Sequence, residues 1–276
     1  MNNAGDADLL VRARSALLDA LEALEPHLDA VVVVGAQAVY MHTGRLDVAL
    51  AEATKDSDVA VDPRVLPDDP RIENAMTAAG FFPDASGQPG AWVNRTGIPV
   101  DIMVPEDLAG AGGRRGARIP PHGNRSARRA RGLEAAVVDR SRMPVTALDP
   151  EDDRRIEAHV AGPTALLVAK LHKIGERVAV PQRLNDKDAH DVYRILRAVE
   201  TEDLRAGAAR LLGDPLSREV TREAMAYLRT LFAESSEALG STMAGRAEEG
   251  IGDPAFVAAS ASFLAADLVA ALGSSN

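Results

Sequence analysis

The stretch KDSDVAV at residues 55–61 decides the fold, because it places two carboxylates one residue apart at the start of an apolar run. In a strand, residues two apart face the same side, so we expect Asp56 and Asp58 to point together, about 6–7 Å apart. Two like charges at that spacing repel each other unless a cation lies between them, and carboxylate oxygens suit Mg²⁺ or Mn²⁺. The stretch therefore predicts a strand that carries a divalent-metal site.

A second acidic strand and a glycine turn accompany this stretch. PVDIMV at residues 99–104 is another short apolar strand candidate and carries Asp101 as a third carboxylate. Upstream, VVVVGA at residues 31–36 predicts a buried strand that ends at Gly35 and leads into a helix. The first N–H groups of such a helix are free to bind an anion. We expect these strands to share one sheet, with Asp101 beside the Asp-x-Asp pair. Elsewhere the sequence predicts an amphipathic helix over residues 7–25 with leucines at helical spacing, a helix over 70–80 that ends at Gly80, a hairpin around Gly97 and a short strand over 135–138.

Three cations on one helix face are predicted in the second half of the chain. A helix begins at Gly162-Pro163, because proline suits the first turn. Lys170, Lys173 and Arg177 lie three and four residues apart, which puts them on one side of that helix. The predicted buried stripe consists of Leu167, Leu171, Ile174 and Val178.

KDAHD at residues 187–191 opens the next predicted helix, over about 186–199. Lys187 and Asp191 lie four residues apart, as part of a site or as a surface ion pair worth ~0.3–0.5 kcal/mol. His190 and Asp191, with His172 as an extra ligand, would also suit a metal-dependent HD phosphohydrolase. That alternative leaves the Asp-x-Asp strand and the glycine turn without a role.

Taken in order, these segments resemble the AbiEii-like nucleotidyltransferase family, which includes toxins of toxin–antitoxin systems. TKDSD at residues 54–58 looks like its Asp-x-Asp segment, and the lysine helix and KDAHD look like its third and fourth motifs. The resemblance implies an α/β fold with a nucleotidyltransferase-like mixed sheet core and a C-terminal α-helical domain, divided as residues 1–162 and 163–276. The chain departs from the family pattern at Gly35-Ala36, where the family has Gly-Gly or Gly-Ser, and so lacks one possible phosphate contact.

The resemblance also implies the chemistry, which is transfer of a nucleotide from a nucleoside triphosphate to a hydroxyl acceptor with release of pyrophosphate. Mg²⁺ or Mn²⁺ would be held by Asp56, Asp58 and Asp101, and Asp101 would also accept the proton of the acceptor. Lys170 and Asp191 complete the predicted catalytic set. The predicted nucleotide-binding residues are Gly35, Ala36, Lys173, Arg177 and Lys187.

The sequence indicates the acceptor and the partners less directly than it indicates the chemistry. The resemblance implies a tRNA 3′ end as acceptor and an antitoxin protein as regulator, while a protein or a small-molecule hydroxyl stays open. The net charge of −10 argues against a protein that coats nucleic acid, but Arg114–Arg142 holds nine arginines against two acids, a net of +7. This segment predicts either a patch for RNA phosphates or a solvated, partly disordered loop.

Two further expectations come from composition. The chain has no cysteine, which excludes disulfides and thiolate zinc sites, and no signal peptide is evident, so we expect a cytoplasmic protein. Residues 255–272 are apolar but interrupted by polar side chains, which favours a buried or interface helix over a membrane span. A degenerate nucleotidyltransferase that only binds nucleotide or RNA remains the alternative to an enzyme.

Overall fold

The computed structural model describes residues 3–44, 56–111 and 115–273. The described residues belong to two compact units. Residues 3–38 and 56–161 form the first unit, and residues 39–44 and 162–273 form the second. Arg114, the first residue of the predicted basic segment, lies outside the described residues.

An eight-stranded mixed sheet is the centre of the first unit. In chain order the strands are β1 (Val31–Val34), β2 (Ser57–Val61), β3 (Phe82–Pro83), β4 (Ala91–Val93), β5 (Pro99–Pro105), β6 (Arg128–Ala130), β7 (Arg140–Thr146) and β8 (Arg155–Ala161). Their order across the sheet is β3-β4-β5-β2-β1-β8-β7, and β6 pairs with the second half of β5. β2 is antiparallel to β1 and parallel to β5, which brings the predicted acidic strands side by side.

The middle of this sheet forms where the sequence is most apolar. β1 is a run of four valines that are at most 1% exposed, which is typical of a central strand covered on both faces. Helix α1 (Asn3–Ala23) packs on β2, β5 and β8; Leu17, Leu18 and Leu21 are buried, while Leu9 and Leu10 are half-buried. The predicted hairpin around Gly97 is confirmed, because β4 and β5 are antiparallel on either side of it.

Two short helices complete the first unit. Helix α3 (Ile72–Ala78) lies within the predicted range and is followed by Gly80 at φ +84°. The prediction of a strand over residues 135–138 is wrong, because Glu134–Val138 forms helix α4. The buried carboxylate of Glu134 accepts the backbone N–H groups of Gly132 and Asp107, which fixes the start of a helical turn. These hydrogen bonds, one of them to a residue 27 positions away in sequence, thus outweigh the strand preference of the two valines.

The second unit is built from helices. Helix α2 (Gly35–Thr43) follows β1, and its residues from 39 onward group with this unit. The remaining helices are α5 (Pro163–Gly175), α6 (Asp186–Ala198), α7 (Thr201–Gly213), α8 (Arg218–Leu228), a π-helical turn (Arg229–Ala233), α9 (Leu239–Arg246) and α10 (Pro254–Gly273). The predicted helices over 163–178 and 186–199 are confirmed, but α5 ends at Gly175, so Val178 is exposed instead of buried.

The last helix is less buried than predicted. By length and composition alone α10 could cross a membrane, and 22% of its most apolar window is buried. It packs on α6, α7, α9 and the π-helical turn. Phe256 and Phe263 are 58% and 66% exposed. One face of α10 therefore packs within the unit while two phenylalanines lie on its exposed surface.

Candidate active site

Two carboxylates of the first unit lie directly opposite each other on neighbouring strands. Asp58 of β2 pairs in register with Asp101 of β5. In-register residues on adjacent strands project from the same face, about 4.8 Å apart. Both side chains are half-buried, while Asp56 is exposed and lies just before the first residue of β2. The sheet therefore brings Asp58 and Asp101 together, and Asp56 stands at the mouth of the strand.

Gly35 makes room for one of these carboxylates. It has φ of +68°, a left-handed conformation that favours glycine. A Cβ atom at this position would lie 2.1 Å from Oδ2 of Asp58. The carboxylate therefore lies against the first residue of α2, where the helix dipole favours a negative charge. Glycine is required at position 35 for two reasons: a side chain would collide with Asp58, and the turn needs a positive φ.

The segment after Gly35 differs from a simple phosphate loop. Ala36 is buried, and the buried amide of Gln37 accepts a hydrogen bond from Nε of Arg14 at 2.9 Å. Arg14 also donates to the carbonyl of Thr146, and burial lowers the pKa of its guanidinium. Gln37 is thus part of the packing between α1, α2 and β7. A phosphate at this helix start would meet backbone N–H groups beside the Asp58 carboxylate.

Asp101 has a cationic partner within the sheet. Nη2 and Nε of Arg128, the first residue of β6, lie 3.0 and 3.3 Å from Oδ2 of Asp101. The side chains are 25% and 18% exposed, so solvent screens the pair only in part. The two in-register carboxylates are therefore balanced on one side by a guanidinium.

The donor set at this position fits a hard divalent cation. Within the described ranges, no cluster of three or more acidic or histidine side chains is arranged to hold a metal ion. Asp58 and Asp101 nevertheless offer two adjacent carboxylates, and Mg²⁺ typically takes one or two carboxylates and completes its shell with water and substrate phosphates. The site suits a cation shared with a substrate better than a cage made by the protein alone.

A buried ion cluster lies in the second unit. Nζ of Lys170 lies 2.6 Å from Oδ2 of Asp191 and 3.0 Å from Oδ1 of Asp188. The three side chains are 7%, 1% and 5% exposed, respectively. Lys170 was predicted to be either a contact for the triphosphate or part of a solvated helix face. It is instead enclosed between two carboxylates.

Asp188 is the centre of this cluster, and sequence reasoning did not select it. Lys173 lies 3.0 Å and Arg177 3.5 Å from its carboxylate, in addition to Lys170. Burial acts to raise the pKa of Asp188, but the charges of Lys170 and Lys173 outweigh it and hold that pKa well below its usual range. The signal for Asp188 was its spacing, because α6 turns it toward Lys170 and Lys173 of α5 and toward Arg177 just after that helix.

The charged state of Lys170 follows from the same geometry. Burial alone would lower its pKa, but the carboxylates of Asp191 and Asp188 raise that pKa above its ordinary value. At neutral pH Lys170 and Asp188 are therefore ionised. Lys173 and Arg177 are 39% and 26% exposed, so they present positive charge to solvent on the predicted common face.

Lys187 takes a different place from the one expected of an ion pair with Asp191. Its Nζ lies 5.9 Å from the ring centre of Tyr40, and Arg194 lies 5.4 Å from the same ring. Both distances are within the range of cation–π attraction. Asp191 instead forms an ion pair with Lys170, from the preceding helix.

The histidines do not assemble the phosphohydrolase alternative. Nε2 of His190 lies 2.8 Å from the carboxylate of Glu248, while Nε2 of His172 lies 2.7 Å from the carbonyl of Val220. Burial lowers the pKa of His190, and the neighbouring Glu248 opposes that shift. His190 therefore contacts the turn after α9 and His172 contacts α8, and the two share no metal-binding cluster with Asp191 among the described residues.

The described part of the basic segment, residues 115–142, is structured. It contains β6, α4 and the first residues of β7. Several of its guanidinium groups bind the protein itself, including Arg125 to the carbonyl of Gly87 and Arg129 to the carbonyl of Gly110. The expectation of a partly disordered loop is therefore wrong for these residues. Their positive charge is retained, but part of their hydrogen-bonding capacity supports the fold.

A mixed sheet with paired carboxylates behind a glycine turn, followed by helices, is consistent with the nucleotidyltransferase class. A family model described as Nucleotidyltransferase matches residues 5–210. The chain belongs to this nucleotidyltransferase family and is an enzyme that transfers nucleotides. No curated protein and no solved structure matches the chain. The family match contains every predicted site residue and ends within α7.

Proposed function

We propose that this nucleotidyltransferase moves a nucleotide from a nucleoside triphosphate to a hydroxyl acceptor with the help of a divalent cation held at Asp58 and Asp101. The observation that carries the proposal is the direct register of these two carboxylates on β2 and β5. The contact between Gly35 and Asp58 supports it, because the fold keeps a glycine in the left-handed conformation where any side chain would displace the carboxylate. Asp56 lies two residues before Asp58 and is the third proposed ligand.

In the proposed reaction the acceptor oxygen bonds to the α-phosphorus, and the bond from that phosphorus to the bridging oxygen breaks. Pyrophosphate leaves with the electron pair, and the hydroxyl proton passes to Asp101. Phosphoryl-type transfer depends mainly on positioning and on neutralising charge. A bound divalent cation supplies that neutralisation for the triphosphate and the leaving group.

Lys173 and Arg177 are partly exposed cations beside Asp188, and we assign them to phosphate binding together with Lys187. Lys170 and Asp191 act differently, because both are enclosed in the ion cluster. We assign them to holding α5 and α6 in the arrangement that presents the exposed cations.

The proposed acceptor is the 3′ end of a tRNA, and the proposed role is that of a cytoplasmic toxin controlled by an antitoxin. The resemblance to the toxin family and the surplus of arginines between residues 114 and 142 support this choice. Exposed arginines bind RNA mainly through backbone phosphates, so they would hold an acceptor without reading its sequence. A protein or small-molecule acceptor is the second outcome of the test below.

The test is label transfer by the purified full-length protein. Each of the four α-labelled nucleoside triphosphates is incubated with total cellular RNA and either Mg²⁺ or Mn²⁺, beside the Asp58→Asn variant. Metal-dependent label on RNA that is absent with the variant would support the proposal and identify the nucleotide. Label on protein would replace RNA by a protein acceptor. No Asp58-dependent transfer to any acceptor would overturn the proposed reaction.

The toxin role has a separate test. Induced expression of the wild-type chain is expected to arrest growth of a bacterial host, and the Asp58→Asn variant at equal protein level is expected not to. Growth that is unaffected by the active wild-type enzyme would remove the toxin role while leaving the proposed chemistry intact.

A further inference from the structure

Arg128 lies directly beside the carboxylate pair, and the proposed function uses it only as one arginine of the basic segment. It donates from Nε and Nη2 to the same oxygen, Oδ2 of Asp101. Asp101 lies in register with Asp58, and Arg128 lies in register with Met103, two residues further along β5. All of these side chains project from one face of the sheet, because residues two apart in a strand share a face.

The backbone of Arg128 is held firmly. It pairs with β5 on one side and forms an antiparallel bridge with Gly116 on the other. Gly90, at φ +75°, allows a close approach, since a Cβ atom there would lie 2.5 Å from the backbone nitrogen of Arg128. The fold therefore fixes the backbone position of Arg128, and the long side chain extends from there to Asp101.

The electrostatics of this arrangement resemble those of a cation site. Two adjacent carboxylates repel each other, and a positive charge beside one of them reduces that repulsion. A guanidinium provides this charge without a metal, but it occupies the oxygen that a divalent cation would use. Arg128 and a cation are therefore expected to compete for Oδ2 of Asp101.

We propose that Arg128 is a displaceable countercharge on Asp101: a divalent cation that binds the carboxylate pair releases the guanidinium, which then binds a phosphate of the nucleotide. This inference rests on the proposed function, because it requires a cation at Asp58 and Asp101. It makes Arg128 a substrate-positioning residue, and it predicts that the free enzyme binds its cation more weakly than the two carboxylates alone would.

A purely structural ion pair predicts something different. A partly exposed pair contributes little to stability, and removing a structural arginine would leave the cation affinity unchanged or lower it through local disorder. Competition predicts the opposite direction, since loss of the guanidinium frees the oxygen. The sign of the change in metal affinity therefore separates the two explanations.

The experiment is calorimetric titration of Mn²⁺ into the nucleotide-free, full-length protein. Arg128→Gln is expected to bind Mn²⁺ about three- to tenfold more tightly than wild type. Arg155→Gln is the matched control, because Arg155 also forms a pair with a carboxylate of the sheet, Glu157 at 3.2 Å, and it is expected to leave the affinity unchanged. Thermal unfolding of each variant checks that it is folded.

A second measurement tests the released guanidinium. In label transfer at saturating Mn²⁺, Arg128→Gln is expected to raise the KM for the nucleoside triphosphate about tenfold, with a smaller change in kcat. Arg128→Lys keeps a positive charge but loses the two-pronged contact, so its Mn²⁺ affinity and KM are both expected to fall between those of wild type and Arg128→Gln.

The outcomes separate this inference from the proposed function. If wild type binds Mn²⁺ through Asp58 and Arg128→Gln binds it equally or more weakly, the countercharge role is overturned while the proposed function stands. If wild type shows no Mn²⁺ binding that depends on Asp58, the proposed function fails and this inference fails with it. Tighter binding by Arg128→Gln with a raised KM supports both steps.

Discussion

The two units of this enzyme use similar charged residues in opposite ways. On the sheet of the first unit, Asp101 and Arg128 are 18% and 25% exposed, and Asp58 is half-buried beside Gly35. In the helices of the second unit, Lys170 and Asp191 are 7% and 1% exposed and contact each other at 2.6 Å. Partly exposed carboxylates can be reached by a ligand, whereas the enclosed pair is shielded from solvent. We therefore expect burial, more than residue type, to separate the proposed reactive positions from the proposed supporting ones.

The largest expected effect comes from removing the cation of the buried cluster. Lys170→Met leaves two aspartates without their shared partner, and breaking a buried pair in this way costs about 3–5 kcal/mol. We expect a loss of that size in the free energy of unfolding, measured by urea denaturation followed by circular dichroism. Lys173→Met is the matched control, because that lysine contacts the same Asp188 but is 39% exposed.

Equal losses of stability in the two lysine variants would contradict this difference between enclosed and partly exposed charges. That result would mean that the cluster is held by its outer charges and not by the enclosed lysine. A stable Lys170→Met protein without transferase activity would instead return Lys170 to the catalytic role that the sequence predicted.

For the sheet carboxylates we expect the reverse, which is a large loss of activity with little loss of stability. Asp58→Asn should lower kcat/KM for label transfer at least ~100-fold, because the lost charge no longer supports the transition state. Its unfolding midpoint should change little, since the side chain is half-buried and retains its shape. Asp153→Asn, at an exposed aspartate between β7 and β8, is expected to leave both quantities unchanged.

Substitutions of two glycines test whether the space beside Asp58 is needed for activity. Gly35→Ala and Gly97→Ala both place a side chain at positive φ, +68° and +77°, which costs about 1–2 kcal/mol. A Cβ atom at Gly97 meets nothing within 4 Å, while at Gly35 it collides with Asp58. We expect similar backbone strain in both variants but loss of transferase activity only in Gly35→Ala. Equal activity would show that Asp58 can move without consequence.

The smallest expected effect concerns pH. Nδ1 of His122 accepts the N–H of Ile72 at 3.1 Å, and burial lowers the pKa of the imidazole below its ordinary 6.5. The folded state then binds fewer protons than the unfolded state, so stability is complete above pH 6.5 and declines as the pH falls below it. The pKa of Asp188 is lowered in the same way, so the contribution of this residue to stability is lost only when the pH falls below its ordinary pKa of 3.8.

Denaturation between pH 7.5 and pH 5 tests the histidine. His122→Asn keeps an acceptor for Ile72 but cannot take a proton in this range, so its stability should fall less steeply than that of wild type, by less than about 1 kcal/mol. An unchanged slope would show that His122 is not responsible for the acid sensitivity of the first unit.

Much of the fold was predictable because its signals are local. The four valines of β1, the apolar runs of β2 and β5, and the turn at Gly35 each depend on a few consecutive residues. The proximity of Asp58 and Asp101 could be predicted as well, since two short apolar strands with acids at corresponding positions favour a common sheet. Helix α4 was missed because its first residue, Glu134, is anchored by a backbone N–H from Asp107, which is 27 residues away in sequence.

By itself, then, the sequence determined the element types, the glycine turn and the set of charged residues from which a nucleotidyltransferase site is built. Only the tertiary structure decided which charges meet: Lys170 with Asp188 and Asp191, and Arg128 with Asp101. The physical reason is that local propensity acts over one or two turns of chain. The pairing and burial of charges depend on packing between segments that are far apart in sequence.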